Sequence, residues 1–140
     1  MQPLYEVTLT RPWHWGIAVV SSPKAEVPDV VGDSPVVVGT DAIVIKVRHA
    51  QDVELEVFEG DWDWATATIH LRSLTEMQPT NRVVVHEGIL TLPDGRLAVG
   101  DADGEIVVND LSSQTRVRVE ADEVTAFGLP EVWIELALVE

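Results

Sequence analysis

Hydrophobic and polar residues alternate with a period of two along most of this chain. Residues 65–73, Ala-Thr-Ala-Thr-Ile-His-Leu-Arg-Ser, show the pattern clearly. Because successive side chains of a β-strand point to opposite faces, the alternation predicts strands that bury one face. The same pattern, rich in β-branched residues, predicts strands at residues 4–10, 42–49, 53–59, 65–73, 81–92, 96–100, 105–110, 115–121 and 132–140, with a further extended piece at 15–20.

Turn-forming residues separate these predicted strands. Gly60-Asp61, Pro93-Asp94-Gly95 and Asp103-Gly104 are examples. Short strands at regular spacing with such turns are typical of an all-β, antiparallel two-sheet sandwich, with a closed or partly open barrel as the alternative. We expect one domain over residues 1–140.

Two segments depart from the alternating pattern. Residues 21–39 are rich in proline and glycine, which predicts a long surface connection with a short edge strand at 36–38. Residues 121–127 precede Gly128 and Pro130, which predicts one short helical turn.

The chain is strongly acidic. It has 24 Asp and Glu against 9 Lys and Arg, for a formal net charge of -15. Such a charge repels phosphate groups, so we expect neither direct nucleic-acid binding nor membrane binding, and a basic protein partner is favoured. Cysteine is absent, which excludes disulfides and thiolate metal sites. Neither a secretory signal pattern nor a long apolar run is evident, so we expect a cytoplasmic protein.

Most of the tryptophans occur in two motifs, Trp-His-Trp and Asp-Trp-Asp-Trp, whose rings are spaced by one residue. On a strand, such residues share a face, so each motif would place two indoles side by side. The indoles would either fill the core or form a surface that captures a cationic side chain, which the flanking carboxylates favour. The candidate partner-binding residues are Asp61, Trp62, Asp63 and Trp64, with Trp13 and Trp15 as a second pair.

The sequence Asp-Ala-Asp-Gly-Glu at 101–105 has the composition of a calcium-loop fragment. It lacks the ligand positions and the flanking helices of a calcium-binding hand, so we interpret it as a hairpin turn. Asp101, Asp103 and Glu105 would then be charges at the rim of a partner-binding surface.

The histidines suggest an alternative function. Imidazoles and carboxylates together bind zinc and similar ions, and His70 and His86 are candidates for a metal-dependent or small-ligand enzyme with a site between the sheets. No His-x-His pair, His-Glu-x-x-His helix, Gly-x-Ser-x-Gly elbow or phosphate-binding glycine motif is present. The sequence therefore predicts no catalytic residue, cofactor or metal ligand, and it favours a binding module. An exposed edge strand at 36–38 could also pair with a second copy, so monomer and homodimer both remain open.

Three segments of the second half have a layout that can be compared with a known family. They are Val-Val-Val-His-Glu-Gly-Ile-Leu-Thr-Leu at 83–92, Asn-Asp-Leu-Ser-Ser-Gln-Thr-Arg-Val-Arg-Val-Glu at 109–120 and Val-Trp-Ile-Glu-Leu-Ala-Leu-Val at 132–139. In this layout the chain resembles the competence protein J family, small bacterial inhibitors of the DNA-entry nuclease. The resemblance implies a β-sandwich that blocks a basic nuclease by occupying its DNA groove, and it assigns a role to no individual residue. We therefore predict a non-catalytic, acidic, inhibitor or immunity-type protein that docks a basic surface of a partner.

Overall fold

The described part of the chain consists of β-strands and their connections. The computed structural model describes residues 5–23, 25–28, 34–51, 64–123 and 128–138. Within these ranges the strands are β1 Tyr5–Arg11, β2 Ile17–Ser21, β3 Val36–Val38, β4 Ala42–Lys46, β5 Ala67–Leu74, β6 Val83–Thr91, β7 Leu97–Asp101, β8 Gly104–Val108, β9 Gln114–Ala121 and β10 Glu131–Leu138.

The strands form two sheets that pack as a sandwich. Within the described ranges, sheet A has the order β1-β5-β10-β9-β6 and sheet B the order β3-β4-β2-β7-β8. The predicted all-β, two-sheet sandwich is confirmed. One neighbouring pair, β5 and β10, runs parallel instead of antiparallel. These two strands are far apart in sequence, so no tight hairpin forces them to run in opposite directions.

Most predicted strands coincide with observed ones. The short segment predicted at 36–38 is β3, and it lies at the edge of sheet B as expected. The hairpin predicted around residues 101–105 is the connection between β7 and β8. The strand predicted at 53–59 and residues 124–127 of the predicted helical turn lie outside the described residues, and Ala121 itself ends β9.

The core follows from the alternation in each strand. In β5, Ile69 and Leu71 are buried between the sheets, whereas His70 and Arg72 lie on the outer face of sheet A. The central strand β10 buries Ile134 with 0% exposure in the same way. Each such aliphatic side chain contributes about 1.5–3 kcal/mol when it leaves water. The sandwich therefore rests on apolar burial along period-two strands.

Sheet A also carries buried charges on its outer face. Glu120 of β9 and Glu135 of β10 are 0% and 1% exposed although they point away from the core. Arg118 lies between them: its Nη2 donates to Glu135 at 2.7 Å and its Nε donates to Glu120 at 3.2 Å. Arg72 of β5 also donates to the Glu135 carboxylate. Charges removed from water to this extent need such partners.

The connection between β5 and β6 covers this ion network. The carbonyl oxygen of Gln78 accepts a hydrogen bond from Arg118 Nη2 at 2.6 Å. The Thr80 hydroxyl donates to Glu120. The network thus fixes this connection to the outer face of sheet A.

The pKa values of the two carboxyl groups of the network shift in opposite directions. Burial and a hydrogen bond to Glu135 raise the pKa of Glu120. Burial alone would also raise the pKa of Glu135, but hydrogen bonds from Glu120, Arg118 and Arg72 outweigh it and lower that pKa to about 2. Glu120 therefore keeps its proton more readily, and Glu135 holds the negative charge beside the two arginines.

We expect Glu135→Gln to lower the free energy of unfolding by about 3–5 kcal/mol at neutral pH, because Arg118 and Arg72 lose their buried counter-charge. A lowered folded-state pKa gives stability that is present above the unfolded value of about 4.3 and is lost as pH falls further. The difference between wild type and variant should therefore shrink from there towards pH 2. Urea titrations at several pH values across this range measure the difference in free energy of unfolding. Glu6→Gln, which replaces an exposed carboxylate, is the control. A difference that stays constant down to pH 2 would contradict this assignment.

Trp13 belongs to the core. Its side chain is 0% exposed, and its Nε1 donates to the carbonyl oxygen of Ala67 at 3.1 Å. The Arg11 guanidinium lies 3.6 Å from the centre of its ring. Trp15, in contrast, is 61% exposed. The prediction that Trp13 and Trp15 share one face is wrong, because they lie in a turn before β2 and not on a strand.

The two tryptophans should respond differently to truncation. Trp13→Ala should cost about 3–5 kcal/mol of stability, since it leaves a cavity and an unpaired carbonyl. Trp15→Ala should change stability by less than about 0.5 kcal/mol, as expected for an exposed position. Thermal and urea unfolding of both variants provide the measurement. Equal losses would mean that Trp15 is also a core residue.

Candidate functional site

The turn between β1 and β2 separates the two rings of the Trp-His-Trp motif. Gly16 N donates to Trp13 O at 3.1 Å, which closes the turn. Gly16 has a φ of 68°, a conformation that glycine adopts at low cost. The reversal turns the Trp13 ring into the core and leaves the Trp15 ring in solvent.

Trp64, the described residue of the second tryptophan motif, lies at the same end of the sandwich as the first motif. Ala50 N donates to Trp13 O, and Ala65 N donates to Ala50 O, at 3.0 and 2.9 Å. Trp64 is 41% exposed, and its ring meets that of His14 edge-on at 5.2 Å. The other residues of the motif, Asp61, Trp62 and Asp63, lie outside the described residues. His14 of the first motif and Trp64 of the second thus lie in contact.

A groove extends from Trp15 over the outer face of sheet B. We call it the Trp15 groove, and its volume is about 380 Å³. Its apolar wall consists of Ile17 and Val19 from β2 together with the segment after β2. The remaining residues that line it are Ser21, Pro23, Ala25, Val27, Gly100, Asp101, Ala102 and Glu105. The surface is apolar along most of its length and carries carboxylates at the side of β8.

The groove exists because β7 presents small residues to this face. Leu97 and Val99 of β7 point into the core, so Gly100 points outward. A Cβ atom at Gly100 would lie 2.2 Å from Gly104 O and 2.5 Å from Glu105 Cα, so no larger residue fits without moving β8. Together with Ala102, this glycine leaves the floor of the groove without large side chains.

The three acidic residues at 101–105 have different environments. The Asp101 carboxylate is bound by the Arg11 guanidinium at 2.8 and 3.3 Å, and its side chain is 2% exposed. It also accepts a hydrogen bond from Asp103 N at 2.9 Å, which stabilises the turn. The prediction of Asp101 as an exposed rim charge is therefore corrected: it is a buried partner of Arg11. Asp103 and Glu105 are exposed, and Glu105 lines the groove.

The histidines do not form a shared site. His70 is on β5 and His86 is on β6, and β10 and β9 lie between these strands in sheet A. Within the described ranges, no group of three or more His, Asp or Glu side chains is arranged to hold a metal ion. Burial lowers the pKa of His86. His70 and His86, the candidates for the alternative metal-dependent or small-ligand site, therefore lie on separate strands of one sheet.

His70 instead takes part in a cluster on the outer face of sheet A. Its Nδ1 is 3.1 Å from Thr8 Oγ1 and its Nε2 is 2.6 Å from Glu131 Oε2. Its ring stacks on Trp133 at 5.0 Å, and the Arg82 guanidinium lies 3.9 Å from the centre of the same indole. The contacts of His70 fix its imidazole between β1 and β10.

Sequence reasoning missed the apolar part of the groove. Ile17 and Val19 look like ordinary alternating strand residues, and nothing in their own pattern indicates which face is left open. The indication lies in β7 and the turn after it, where Ala98, Gly100 and Ala102 alternate with larger residues. Small residues at every second position indicate a strand whose one face lacks large side chains.

Among the described residues, no helix is long and apolar enough to cross a membrane. No protein-family model matches the chain, and no curated protein matches it in sequence.

Two solved structures share the architecture. ComJ, inhibitor of the DNA degrading activity of NucA, from Bacillus subtilis, superimposes with a TM-score of 0.60 at 9% identity. That likeness covers 99% of this chain and 98% of ComJ. A protein described as crocagin biosynthetic gene J superimposes with a TM-score of 0.54 at 13% identity, over 96% of both chains. The resemblance to the competence protein J family is thus confirmed at the level of the fold.

Proposed function

We propose that this protein is a non-catalytic, inhibitor-type binding module that docks a basic surface of a partner protein through the Trp15 groove. The observation that carries the proposal is an exposed indole at the mouth of an apolar groove. Trp15 is 61% exposed, and large aromatic side chains at such positions are frequent anchors of protein interfaces. Trp64, with Asp61, Trp62 and Asp63 beside it in sequence, is proposed to extend the contact surface around His14.

The apolar area around Trp15 supports a macromolecular partner. Val27 and Val107 are 49% and 39% exposed on the same side of sheet B. Neighbouring exposed apolar side chains of this kind mark interaction surfaces more often than isolated ones do. The interface would bury these residues at its centre and leave Asp103 and Glu105 at its rim.

Charge supports the basic character of the partner. The chain has a net charge of -15, and Asp103 and Glu105 are both exposed beside the groove. Opposite charge on the partner would steer the encounter and increase the association rate. The same negative potential would repel nucleic acid, so an effect on a nucleic-acid enzyme would arise through contact with the enzyme itself.

The fold supports an inhibitor and suggests the class of its target. ComJ is an inhibitor of the DNA degrading activity of NucA and shares the fold over nearly the whole chain. Nucleases that grip DNA present basic grooves, and an acidic surface complements such a groove. We therefore propose a nuclease as the partner.

Trp15→Ala should abolish capture of the partner while leaving the protein folded. Wild type and variant, each immobilised, are exposed to cell extract at about 50 mM salt, and retained proteins are identified by mass spectrometry. The partner is the basic protein retained by wild type and lost with Trp15→Ala, because removal of a central aromatic anchor costs about 2 kcal/mol or more. The purified partner is then assayed for DNA degradation with and without this protein.

Ile89→Ala is the matched control, since Ile89 is 53% exposed on β6 at the far edge of sheet A. It should retain the partner as wild type does. Retention of the same proteins by wild type and Trp15→Ala would refute the groove as the docking site. A captured protein whose activity is unchanged on binding would refute inhibition.

Salt should weaken the complex. Raising the salt from about 50 to about 500 mM screens exposed charges beyond roughly 4 Å, so attraction between the acidic surface and the partner is largely lost. Surface plasmon resonance should show a lower association rate and a dissociation rate that changes less, because the indole contact is apolar. An association rate independent of salt would contradict a basic docking surface.

A further inference from the structure

The protein binds one of its own arginines with a tryptophan and a carboxylate. The guanidinium of Arg11 lies 3.6 Å from the centre of the Trp13 ring. The same guanidinium donates to both oxygens of Asp101, at 2.8 and 3.3 Å. The arrangement combines a cation–π contact with a bidentate, charged hydrogen bond. The planar guanidinium of arginine is well suited to both.

A second arginine in this chain is also held by an indole. Arg82 lies 3.9 Å from the centre of the Trp133 ring on the outer face of sheet A. Tryptophan faces in this fold therefore accept guanidinium groups at two separate places.

The Trp15 groove presents the same two chemical groups with no arginine between them. Trp15 and Glu105 both line it. Within the described part of the chain, Glu105 takes part in no salt bridge, whereas Asp101 is occupied by Arg11. Glu105 is also exposed, so its carboxylate is accessible to a partner.

The open part of the groove follows β2. Val19, Gly100 and Glu105 are register partners across β2, β7 and β8. A Cβ atom at Gly100 would lie 2.2 Å from Gly104 O and 2.5 Å from Glu105 Cα, so the β8 backbone packs directly on that glycine. Ile17 and Val19 of β2 line the groove beside it, and an extended methylene chain can pack along these two side chains.

We propose that the Trp15 groove receives an arginine side chain from the basic partner. Its guanidinium stacks on Trp15 and donates to the Glu105 carboxylate, and its methylene groups pack along Ile17 and Val19. Lysine is a poorer fit because its ammonium group is compact, strongly hydrated and unable to form the planar, two-point contact. This inference rests on the proposed function, since it names the partner group that the groove recognises.

Nuclear magnetic resonance with small probes tests the inference without the partner. The full-length, ¹⁵N-labelled protein is titrated with L-argininamide and, separately, with L-lysinamide at equal ionic strength and neutral pH. We expect the Trp15 indole N–H and the Glu105 amide to shift, with about tenfold tighter apparent binding of argininamide. Trp15→Ala should remove this binding, and Glu105→Gln should weaken it more than Glu105→Asp. Glu6→Gln, an exposed carboxylate on β1, should leave it unchanged.

Several outcomes would overturn the inference. These are the absence of shifts, equal shifts with both amides, and shifts that persist in Trp15→Ala combined with Glu105→Gln. The spectra also report whether each variant is folded. If argininamide fails to bind while Trp15→Ala still prevents partner capture, the groove recognises another group and the proposed function stands. If argininamide binds at Trp15 and partner capture is unaffected by Trp15→Ala, the arginine site stands and the proposed function fails.

Discussion

Burial of the Trp13 indole organises the end of the molecule where the candidate site lies. Its Nε1 bonds to Ala67 of β5, and its carbonyl oxygen accepts hydrogen bonds from Gly16 and Ala50. The first contact ties the turn to sheet A. The others fix the reversal that exposes Trp15 and the segment that leads towards Trp64. The buried Trp13 indole, whose N–H and backbone carbonyl are both hydrogen-bonded, thus fixes the position of exposed residues such as Trp15.

The ion pair between Arg11 and Asp101 complements this arrangement from the other sheet. Arg11 ends β1 in sheet A, and Asp101 ends β7 in sheet B. The pair therefore joins the sheets next to the turn that leads into β8 and Glu105. Asp101 is therefore one acidic residue that stabilises the fold. Glu120 and Glu135, which lie beneath the connection between β5 and β6, do the same. Net charge alone does not reveal which carboxylates face a partner.

The sequence predicts the all-β class, the two-sheet sandwich and most strands, because period-two alternation is a local property. It also predicts the β7–β8 hairpin, because the turn-forming Asp-Gly pair is a local signal as well.

Features that join distant parts of the chain are not predicted. The antiparallel expectation fails at β5 and β10 because their pairing joins residues distant in sequence. Trp13 and Trp15 are separated by a turn that a two-residue spacing does not reveal. The burial of Asp101 depends on Arg11, which is 90 residues away. The groove itself forms where β2 and the segment after it meet the β7–β8 hairpin, two parts of the chain that are distant in sequence, so only small residues such as Gly100 gave a local indication of it.

The close approach of the β7–β8 backbone at Gly100 restricts how the surface of this protein can change during evolution. A side chain at that position would collide with the Gly104 carbonyl, so the floor of the cleft is fixed by geometry. Variation in recognition among descendants of this protein must therefore come from the walls, at positions such as Val19 and Glu105. A lineage that exchanged its target would be expected to keep the glycine and to diversify the residues on either side of it.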